Sequence, residues 1–371
     1  MSKLKAFVYS LSILLGGTIG VGFLSLPYVT LKAGIWPTIG YFLILGTLTA
    51  LIHLFFGELA LKTPDYKRLP GFAKIYLGEW GKKVALVSII LGLFGTILAY
   101  LVVGGGFLRE LLSPVFGGGT TAYTLFYFVA GAILIFFGIR AVARVEFLGI
   151  ILFLFILLVI FLKNFSKIKL GNVFLATDFN QLFLPYGPIL FSLWGATLIP
   201  EAEETLGEHK RLFKIIIPTA VLITILAYCF FIFLVLGIAG RETSPSALLG
   251  LKNFLSSKMY FLALVPGILM PFTCFIALGL NLKNIFHYDL KIRKNLAWLI
   301  ACFVPLTLFL IGLRNFIPIV SFIGAIMLGI DGILILLMYR KIKTGFLRTL
   351  TYPLILVLLI GIIYEIIYFI K

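Results

Sequence analysis

Charged side chains are scarce in this chain. Only 12% of its 371 residues are Asp, Glu, Lys or Arg, which is about half the share of an average soluble domain. Hydrophobic residues make up 61%, and the mean hydropathy is +1.15. This composition excludes an ordinary soluble domain and predicts a protein embedded in the lipid bilayer.

Groups that carry chemistry are also few. There are three Cys, all within apolar stretches and without a CxxC spacing, and three His. The sequence contains no zinc-protease, nucleophile-elbow or nucleotide-binding motif. We therefore expect no enzyme, no cofactor and no metal centre beyond a coupling ion. Any transport would have to be driven by an ion gradient.

Basic residues outnumber acidic ones and give a formal net charge of +17. They lie in short loops between apolar runs, without a basic segment interleaved with stacking aromatics, so we expect no nucleic-acid partner. Of the 31 Lys and Arg, 21 fall in one set of alternate loops. Because positive loops stay in the cytoplasm, this bias predicts a multi-pass protein of the cell membrane, with its N-terminus cytoplasmic and its C-terminus extracytoplasmic.

Long apolar runs bounded by charged, Pro or Gly clusters predict about eleven transmembrane helices. The runs cover residues 6–31, 35–61, 84–112, 121–139, 145–163, 182–202, 213–239, 259–283, 295–313, 316–338 and 349–370. The linkers between them are short. Residues 1–371 are therefore expected to form one all-α membrane domain.

The first run is interrupted in its middle by GGTIGVG at 16–22, and Pro27 follows shortly after. Each Gly costs a helix roughly 0.5–1 kcal/mol relative to Ala. Freed backbone groups survive within a membrane only where they line a cavity. The sixth run has a similar interruption, FSLWGATLIPE at 191–201. Two broken helices in corresponding places of two halves indicate a transporter binding site.

This correspondence divides the chain into two repeats of five spans, at about 6–163 and 182–338, followed by an extra helix at about 349–370. Because five is odd, the two repeats would insert with opposite orientations. The three glycines at 104–106 in the third run have no counterpart in the second half. We expect them to allow close helix packing instead.

Three motifs together resemble one family. GTIGVGFLSLP at 17–27 resembles the glycine-rich first span of the amino acid/auxin permease family, within the amino acid–polyamine–organocation superfamily. FSLWG at 191–195, running into IPE at 199–201, is similar to its sixth-span signature, and ELA at 58–60 to the end of its second span. The resemblance implies amino acid transport and the leucine-transporter-type fold of five plus five inverted spans.

The resemblance also implies a substrate site between the two breaks. Backbone N–H groups of the first break would hold the substrate carboxylate, since half-helix N-termini suit an anion. Carbonyls of the second break would accept from its ammonium. A third-span tyrosine would lie near the carboxylate, and aromatic walls would suit apolar or aromatic amino acids. The residues in these positions are Gly20, Val21, Gly22, Tyr100, Phe191, Ser192, Trp194 and Thr197.

A sodium site of the superfamily, carried over in the same way, would use the carbonyls of Gly16 and Ile19 and two eighth-span hydroxyls. Thr273 supplies one hydroxyl, but Cys274 stands in the other position. A thiol is a poor ligand for a hard cation. We therefore expect a proton as the coupling ion, with sodium as the alternative.

Acidic residues at the ends of the runs are further candidates for ion coupling. Glu58 and Glu201 lie near predicted cytoplasmic ends. A buried carboxylate usually needs a partner, so we expect each to form a gate or an ion pair with Arg140, Arg144 or a nearby Lys. A proton relay is the alternative role.

Ionisable groups inside the runs are functional candidates because intramembrane charge is costly. Asp331 lies in the middle of the tenth run and could either bind a proton or face a wet cavity. Glu146 and Glu365 are further acidic residues within the runs. We expect His53 to be a hydrogen-bonded interior histidine rather than a relay.

Taken together, the sequence predicts a secondary active transporter, a symporter that imports amino acids by alternating access with H⁺ or Na⁺ as coupling ion. Its partners would be a small-molecule amino acid and the lipid bilayer. An amino acid sensor of the same fold would need the same site and is the first alternative. A channel or an intramembrane enzyme is a weaker alternative, because the sequence has neither a selectivity filter nor a convergent catalytic set.

Overall fold

The computed structural model describes residues 2–63, 67–138, 142–174 and 176–370, without the side chains of 142–150. These residues form an all-α structure. Its helices are α1 Lys3–Thr18, α2 Leu26–Ala33, α3 Ile35–Lys62, α4 Leu69–Leu77, α5 Glu79–Phe116, α6 Thr120–Phe137, α7 Val142–Asn164, α8 Leu170–Val173, α9 Tyr186–Leu193, α10 Ile199–Leu206, α11 Phe213–Ala239, α12 Ser257–Asn284, α13 Lys294–Leu310, α14 Phe316–Phe322, α15 Leu328–Ile342 and α16 Phe346–Ile370.

Several of these helices meet the requirements for crossing a membrane. Seven helical segments of the described chain are long and apolar enough, and an eighth is added if the bent pair Lys3–Thr18 and Val21–Ala33 forms one span. The seven are Ile35–Lys62, Glu79–Phe116, Thr120–Phe137, Tyr186–Glu242, Ser257–Asp289, Phe316–Ile342 and Phe346–Ile370. The chain is a multi-pass membrane protein, as its composition predicts.

Each of the predicted apolar runs contains helix in the structure. The long runs are helical because only intrahelical hydrogen bonds can satisfy their backbone groups in hydrocarbon. The structure adds the nine-residue helix α4, which the hydropathy pattern does not indicate. The tenth run is one helical segment, in which a π-helical turn, Ile323–Met327, joins α14 to α15.

Helix α5 forms the centre of one helix group. Its 38 residues extend for about 57 Å at 1.5 Å per residue, and it packs against α4, α6, α12 and α13. The glycines at 104–106 contribute to this packing. A Cβ at Gly105 would lie 2.8 Å from the Cα of Thr124, and one at Gly104 would lie 2.5 Å from the hydroxyl oxygen of Tyr127. Gly104 and Gly105 thus allow α6 to approach α5, as expected.

Helices α1, α3, α10 and α11 pack against one another in a second group. This group contains α1, which precedes the first predicted interruption, and α10, which follows the second. The tenth segment links the two groups, because α15 contacts α3 and also α5. Helix α16 lies outside both, with most of its apolar side chains exposed, which suits a lipid-facing position.

Candidate functional site

The first helix is broken where the glycine cluster predicts it. Helix α1 ends at Thr18, and the backbone leaves helical geometry at Ile19 (ψ 77°) and Gly20 (φ −104°, ψ −154°). A 3₁₀ turn, Val21–Ser25, then leads into α2. The two arms are bent by 47°. The break therefore exposes backbone N–H and C=O groups that a continuous helix would have paired.

The sixth segment is broken in the same manner. Helix α9 ends at Leu193, and Trp194 (ψ 113°) and Gly195 (φ −125°, ψ 13°) are not helical. A 3₁₀ turn, Ala196–Leu198, precedes α10. Both predicted interruptions are thus confirmed.

The two breaks lie directly against each other. A Cβ at Gly22 would lie 2.5 Å from Cδ1 of Phe191 and 2.7 Å from the hydroxyl of Ser192. A Cβ at Gly195 would lie 2.6 Å from the hydroxyl of Thr18. Glycine is needed at both positions because residues of the opposite break occupy the space that a side chain would fill.

Tyr228 of α11 connects the two breaks. Its hydroxyl lies 3.1 Å from the Thr18 carbonyl and 2.9 Å from the Ser192 carbonyl. A phenolic hydroxyl has one hydrogen to donate, so the two carbonyls share it. Its ring is 1% exposed and stacks against Phe23 of the first break, with centroids 5.9 Å apart.

His53 of α3 supports the second break from the other side. Its Nε2 accepts a hydrogen bond from the Gly195 N–H at 3.3 Å, so the ring proton of the neutral tautomer lies on Nδ1. The His53 ring also packs edge-on against Trp194. His53 is therefore a hydrogen-bonded interior histidine, as expected, and it holds a backbone group that the helix break leaves unpaired.

The backbone N–H groups of the first break differ in availability. The Gly20 N–H already donates to the Thr18 carbonyl at 2.9 Å. Those of Val21 and Gly22 precede the first hydrogen bond of the 3₁₀ turn, so they are open to an acceptor from outside. Of the three predicted donors, Val21 and Gly22 are therefore the better placed.

Tyr100, predicted to lie near the substrate carboxylate, lies beside the first break. It is on α5 and 4% exposed, and its hydroxyl oxygen would be 3.2 Å from a Cβ at Gly20. The other predicted side chains are placed differently. The Trp194 ring is buried between His53 and Gly332 of α15, rather than in an open pocket.

The residues predicted at the second break differ in their exposure to solvent. Thr197 is exposed, unlike the 7% exposed Trp194. The Phe191 carbonyl accepts from the Trp194 N–H at 3.4 Å, and the Ser192 carbonyl accepts from Tyr228. Each of these two carbonyls thus already accepts one hydrogen bond and retains a second lone pair for a further donor.

Aromatic rings surround the first break. Phe23 contacts Phe153 of α7 and Phe231 of α11, with centroids 5.0 and 4.9 Å apart. Together with Tyr228 and Tyr100 they form the aromatic cluster. A site walled by these rings is suited to an apolar or aromatic side chain.

A small cavity of about 10 Å³ separates Gly20 from α12. Its lining is apolar and includes Met270 and Cys274 of α12. The Thr273 hydroxyl donates to the Met270 carbonyl at 3.0 Å. Of the two eighth-span positions predicted for a sodium site, the thiol therefore faces the break. The remaining predicted ligands, the carbonyls of Gly16 and Ile19, lie at the end of α1.

A second, larger cavity of about 610 Å³ lies beside the C-terminal half of α5. Its lining includes Val103 and Gly106 of α5 and two basic side chains, Lys32 and Arg314. Val103 is about one helical turn from Tyr100. The cavity therefore approaches the first break from the side that the charge bias predicts to be extracytoplasmic.

The acidic candidates have different surroundings. Glu58 Oε2 lies 2.8 Å from Nζ of Lys343 and 3.3 Å from the Tyr339 hydroxyl. The ion pair that we expected for Glu58 thus exists, but its partner lies at the end of α15. Arg140 falls outside the described residues, as does the side chain of Arg144.

Glu201 and Asp331 lie in contrasting positions. Glu201 is exposed in the first turn of α10. Asp331 is 4% exposed within α15, which contradicts a position facing a wet cavity. The side chain of Glu146 lies outside the described residues, and Glu365 is buried on α16.

Sequence reasoning missed Tyr228, Lys343 and Ser88, a neighbour of Asp331 on α5. Each forms a hydrogen bond or an ion pair with a residue more than 30 positions away in the sequence. A single tyrosine or serine in an apolar run, or a single lysine in a loop, carries no periodic signal that would identify it.

Comparison with solved structures shows the fold. The chain is similar to Mhp1, a nucleobase-cation-symport-1 family transporter, with a TM-score of 0.66 and 14% identity over 91% of this chain and 79% of that one. MhsT in complex with L-phenylalanine gives a TM-score of 0.63, with 14% identity over 97% and 98%. A manganese transporter from Eremococcus coleocola gives 0.64, with 13% identity over 99% and 88%. The chain therefore has the fold of these all-helical membrane transporters.

Sequence comparison is more specific. The tyrosine-specific transport system 1 of Haemophilus influenzae (strain ATCC 51907 / DSM 11121 / KW20 / Rd) is 26% identical over 219 residues, which are 58% of this chain. The match spans about half of that relative, 54% of its length. The amino acid/auxin permease family, which the motifs resemble, is not confirmed. The family model that matches is that of the tryptophan/tyrosine permease family, over residues 3–367. This is a family of transporters rather than enzymes, and the chain belongs to it.

Proposed function

We propose that this protein is a secondary active transporter that imports aromatic amino acids across the cell membrane by alternating access, in symport with protons rather than sodium. The observation that carries the proposal is the meeting of the two helix breaks. The open N–H groups of Val21 and Gly22 belong to the first break, where it packs against Phe191 and Ser192 of the second break, and the carbonyls of these two residues each retain a free lone pair. Donors and acceptors of this kind suit the carboxylate and ammonium of one amino acid.

The surroundings of this site favour an aromatic substrate. Phe23, Phe153 and Phe231 form an apolar wall at the first break, and the Tyr100 hydroxyl reaches its backbone. The tyrosine-specific relative and the fold neighbour with bound L-phenylalanine support the same class. Tryptophan, tyrosine and phenylalanine are therefore the expected substrates.

The cavity beside Gly20 supports protons over sodium. A sodium ion there would need several oxygen ligands, since hard cations prefer oxygen. The cavity lining is apolar, and α12 presents the Cys274 thiol to it. We infer that this place does not hold sodium, and that the coupling ion binds elsewhere as a proton.

The membrane topology is part of the proposal. We propose eleven spans, arranged as two inverted repeats of five with α16 as the extra helix, and a cytoplasmic N-terminus. The matching breaks in the first and sixth segments support the repeat. The larger cavity would then be an extracytoplasmic vestibule, where Lys32 and Arg314 give a positive potential that attracts the substrate carboxylate.

An uptake panel tests the proposal. Purified protein in proteoliposomes would be offered each of the twenty amino acids, with sodium and pH gradients set independently. We expect accumulation of the three aromatic amino acids when the outside is acidic, no effect of replacing sodium by choline, and loss of accumulation with a proton ionophore. Liposomes containing the Gly22→Val variant provide the control for leak and surface binding.

Two results would contradict different parts of the proposal. Uptake that collapses in choline at fixed pH but ignores the ionophore would show sodium coupling. A well-folded protein that binds aromatic amino acids without moving them would be a sensor of the same fold.

A further inference from the structure

Asp331 is a buried carboxyl group at a helix contact between α15 and α5. It lies in the first turn of α15, directly after the π-helical turn. Its Oδ1 has no hydrogen-bond partner among the described residues, and no described basic side chain lies within ion-pair distance. An ionised carboxylate in this position would be a buried, uncompensated charge, which costs several kcal/mol.

The neighbouring Ser88 favours the protonated form of this carboxyl. Ser88 of α5 lies beside Asp331, and its hydroxyl donates to the Met327 carbonyl at 2.8 Å. A serine hydroxyl has one hydrogen and two lone pairs. While its hydrogen is engaged in this way, Ser88 Oγ is placed to accept a hydrogen bond from Asp331. Such a bond forms only if Asp331 carries a proton.

The other ionisable groups around α15 have partners or lie farther away. Helices α3, α4, α5 and α16 pack against it. Along these helices the titratable or charged groups are Tyr41, His53, Glu58, Lys62, Lys74, Tyr76, Glu79, Lys82, Lys83, Tyr100, Arg109, Glu110, Arg348, Tyr352, Tyr364, Glu365 and Tyr368.

Several of these groups have partners in the described structure. The α5 groups from Tyr100 onward are at least twelve residues, about 18 Å along the helix, from Ser88. His53 accepts from Gly195, and Glu58 pairs with Lys343. Lys74 forms an ion pair with Glu79, and the Tyr76 hydroxyl is hydrogen-bonded to that of Thr63. Lys82 and Lys83 lie at the start of α5, where they are at least partly exposed. Glu365 and its neighbour Tyr364 lie farther along α16. Gly329 packs against Ile362 and Gly332 against Leu358, so this antiparallel register puts them more than a turn from Asp331.

The position of α15 is coupled to the second break. Gly332 follows Asp331, and a Cβ there would lie 3.3 Å from the Trp194 ring and 3.3 Å from Ile52 of α3. A shift of α15 away from α5 would therefore move the surface against which Trp194 packs. A movement of α15 would therefore change both the surroundings of Asp331 and the packing of the second break.

We propose that Asp331 is the proton-binding site of the transporter, loaded while Ser88 faces it and discharged when α15 moves away from α5. This inference rests on the proposed function. In the loading step the carboxylate takes a proton from a hydronium ion and leaves water. In the release step the carboxylic acid returns the proton to water on the opposite side. No other bond changes, and no redox partner is needed.

Asp331→Asn tests the proposal, because the amide mimics the protonated acid in size and charge. Glu365→Gln is the matched control, since Glu365 is also buried and its Oε1 also lacks a partner. Proteoliposomes would be assayed for pH-driven accumulation of tyrosine, for substrate-driven proton flux with a trapped pH dye, and for tyrosine exchange without a gradient. We expect Asp331→Asn to keep exchange and to lose both accumulation and proton flux. Glu365→Gln should keep all three.

Infrared difference spectra provide a second readout that does not depend on transport. The parent should show a protonated carboxyl band between alkaline and acidic buffer that Asp331→Asn lacks. Ser88→Ala should shift the frequency of that band, because it removes the acceptor of the carboxyl proton.

Several outcomes would overturn the assignment. Asp331→Asn that accumulates tyrosine as the parent does, or that retains the carboxyl band, would exclude Asp331 as the proton site. If the parent accumulates tyrosine only under a sodium gradient, proton coupling itself is wrong. If the parent transports no amino acid, the proposed function fails, which is a distinct result.

Discussion

The Tyr228 hydroxyl offers a direct test of how the two breaks are held. Tyr228→Phe removes one oxygen atom and retains the ring that stacks against Phe23. The substitution therefore leaves the aromatic cluster intact and deletes only the link between the carbonyls of Thr18 and Ser192.

The expected magnitude follows from the partners of these carbonyls. The Thr18 carbonyl also accepts from the Gly20 N–H, so it keeps one bond in the variant. The Ser192 carbonyl has no other hydrogen bond among the described residues. Leaving one buried acceptor unpaired costs about 1–3 kcal/mol. Tyr228→Phe should lower the free energy of unfolding by that amount.

Unfolding by SDS from mixed micelles measures this change. Tyr260→Phe is the matched control, because Tyr260 is also a buried tyrosine but its hydroxyl has no partner among the described residues. Its removal should change stability by less than about 0.5 kcal/mol. Tyrosine uptake by Tyr228→Phe should show a raised KM, up to about tenfold if some 1.4 kcal/mol of the loss falls on the substrate-bound state.

The reasoning has a clear point of failure. If Tyr228→Phe unfolds within about 0.5 kcal/mol of the parent and transports with the same KM, the hydroxyl does not hold the two breaks together. A loss of stability without a change in KM would show a structural role alone.

Three further predictions concern the same region. Gly20→Val should abolish aromatic amino acid binding in a thermal-shift assay on inserted, monodisperse protein. Gly105→Val is the control and should mainly lower stability, because its side chain would disrupt the packing of α5 against α6. Equal binding by Gly20→Val and the parent would exclude this break as the carboxylate site. Gly22→Val should lower both binding and stability, since its Cβ overlaps the second break, and normal unfolding of this variant would contradict the observed contact. The side chains of Lys343 and Glu58 are 27% and 30% exposed, so their ion pair should be weak. A double-mutant cycle with both residues changed to Gln should give a coupling free energy of only about 0.2–1 kcal/mol. A larger value would indicate that the pair acts as a gate closed to water.

The sequence predicts the two breaks because the signal is local. Glycines at 16–22 and the Gly195-to-Pro200 stretch disrupt the same residues that leave helical geometry in the structure. Their meeting also follows, since the two halves correspond. Tyr100 beside Gly20 could be predicted only through the family resemblance.

Long-range partners could not be predicted in this way. Glu58 and Lys343 are 285 positions apart, so a one-turn change in the packing of α15 would give Glu58 another neighbour. Tyr228 lies in a run of apolar residues, where nothing distinguishes a hydrogen-bonded tyrosine from one that faces lipid. The motifs also indicated a neighbouring family. They encode the helix break, which many transporters of this fold share, more than the identity of the substrate.

Two side chains satisfy backbone groups that the second break leaves without helical partners. His53 satisfies the Gly195 N–H, and Tyr228 satisfies the Ser192 carbonyl. Both groups would otherwise be costly in a medium without water. The N–H groups of Val21 and Gly22 on the opposite break receive no such side-chain partner in the described chain. An amino acid carboxylate is a suitable acceptor for them, and its binding would complete the hydrogen bonding of both breaks. Part of the substrate affinity would then come from backbone groups that the fold leaves unpaired for this purpose.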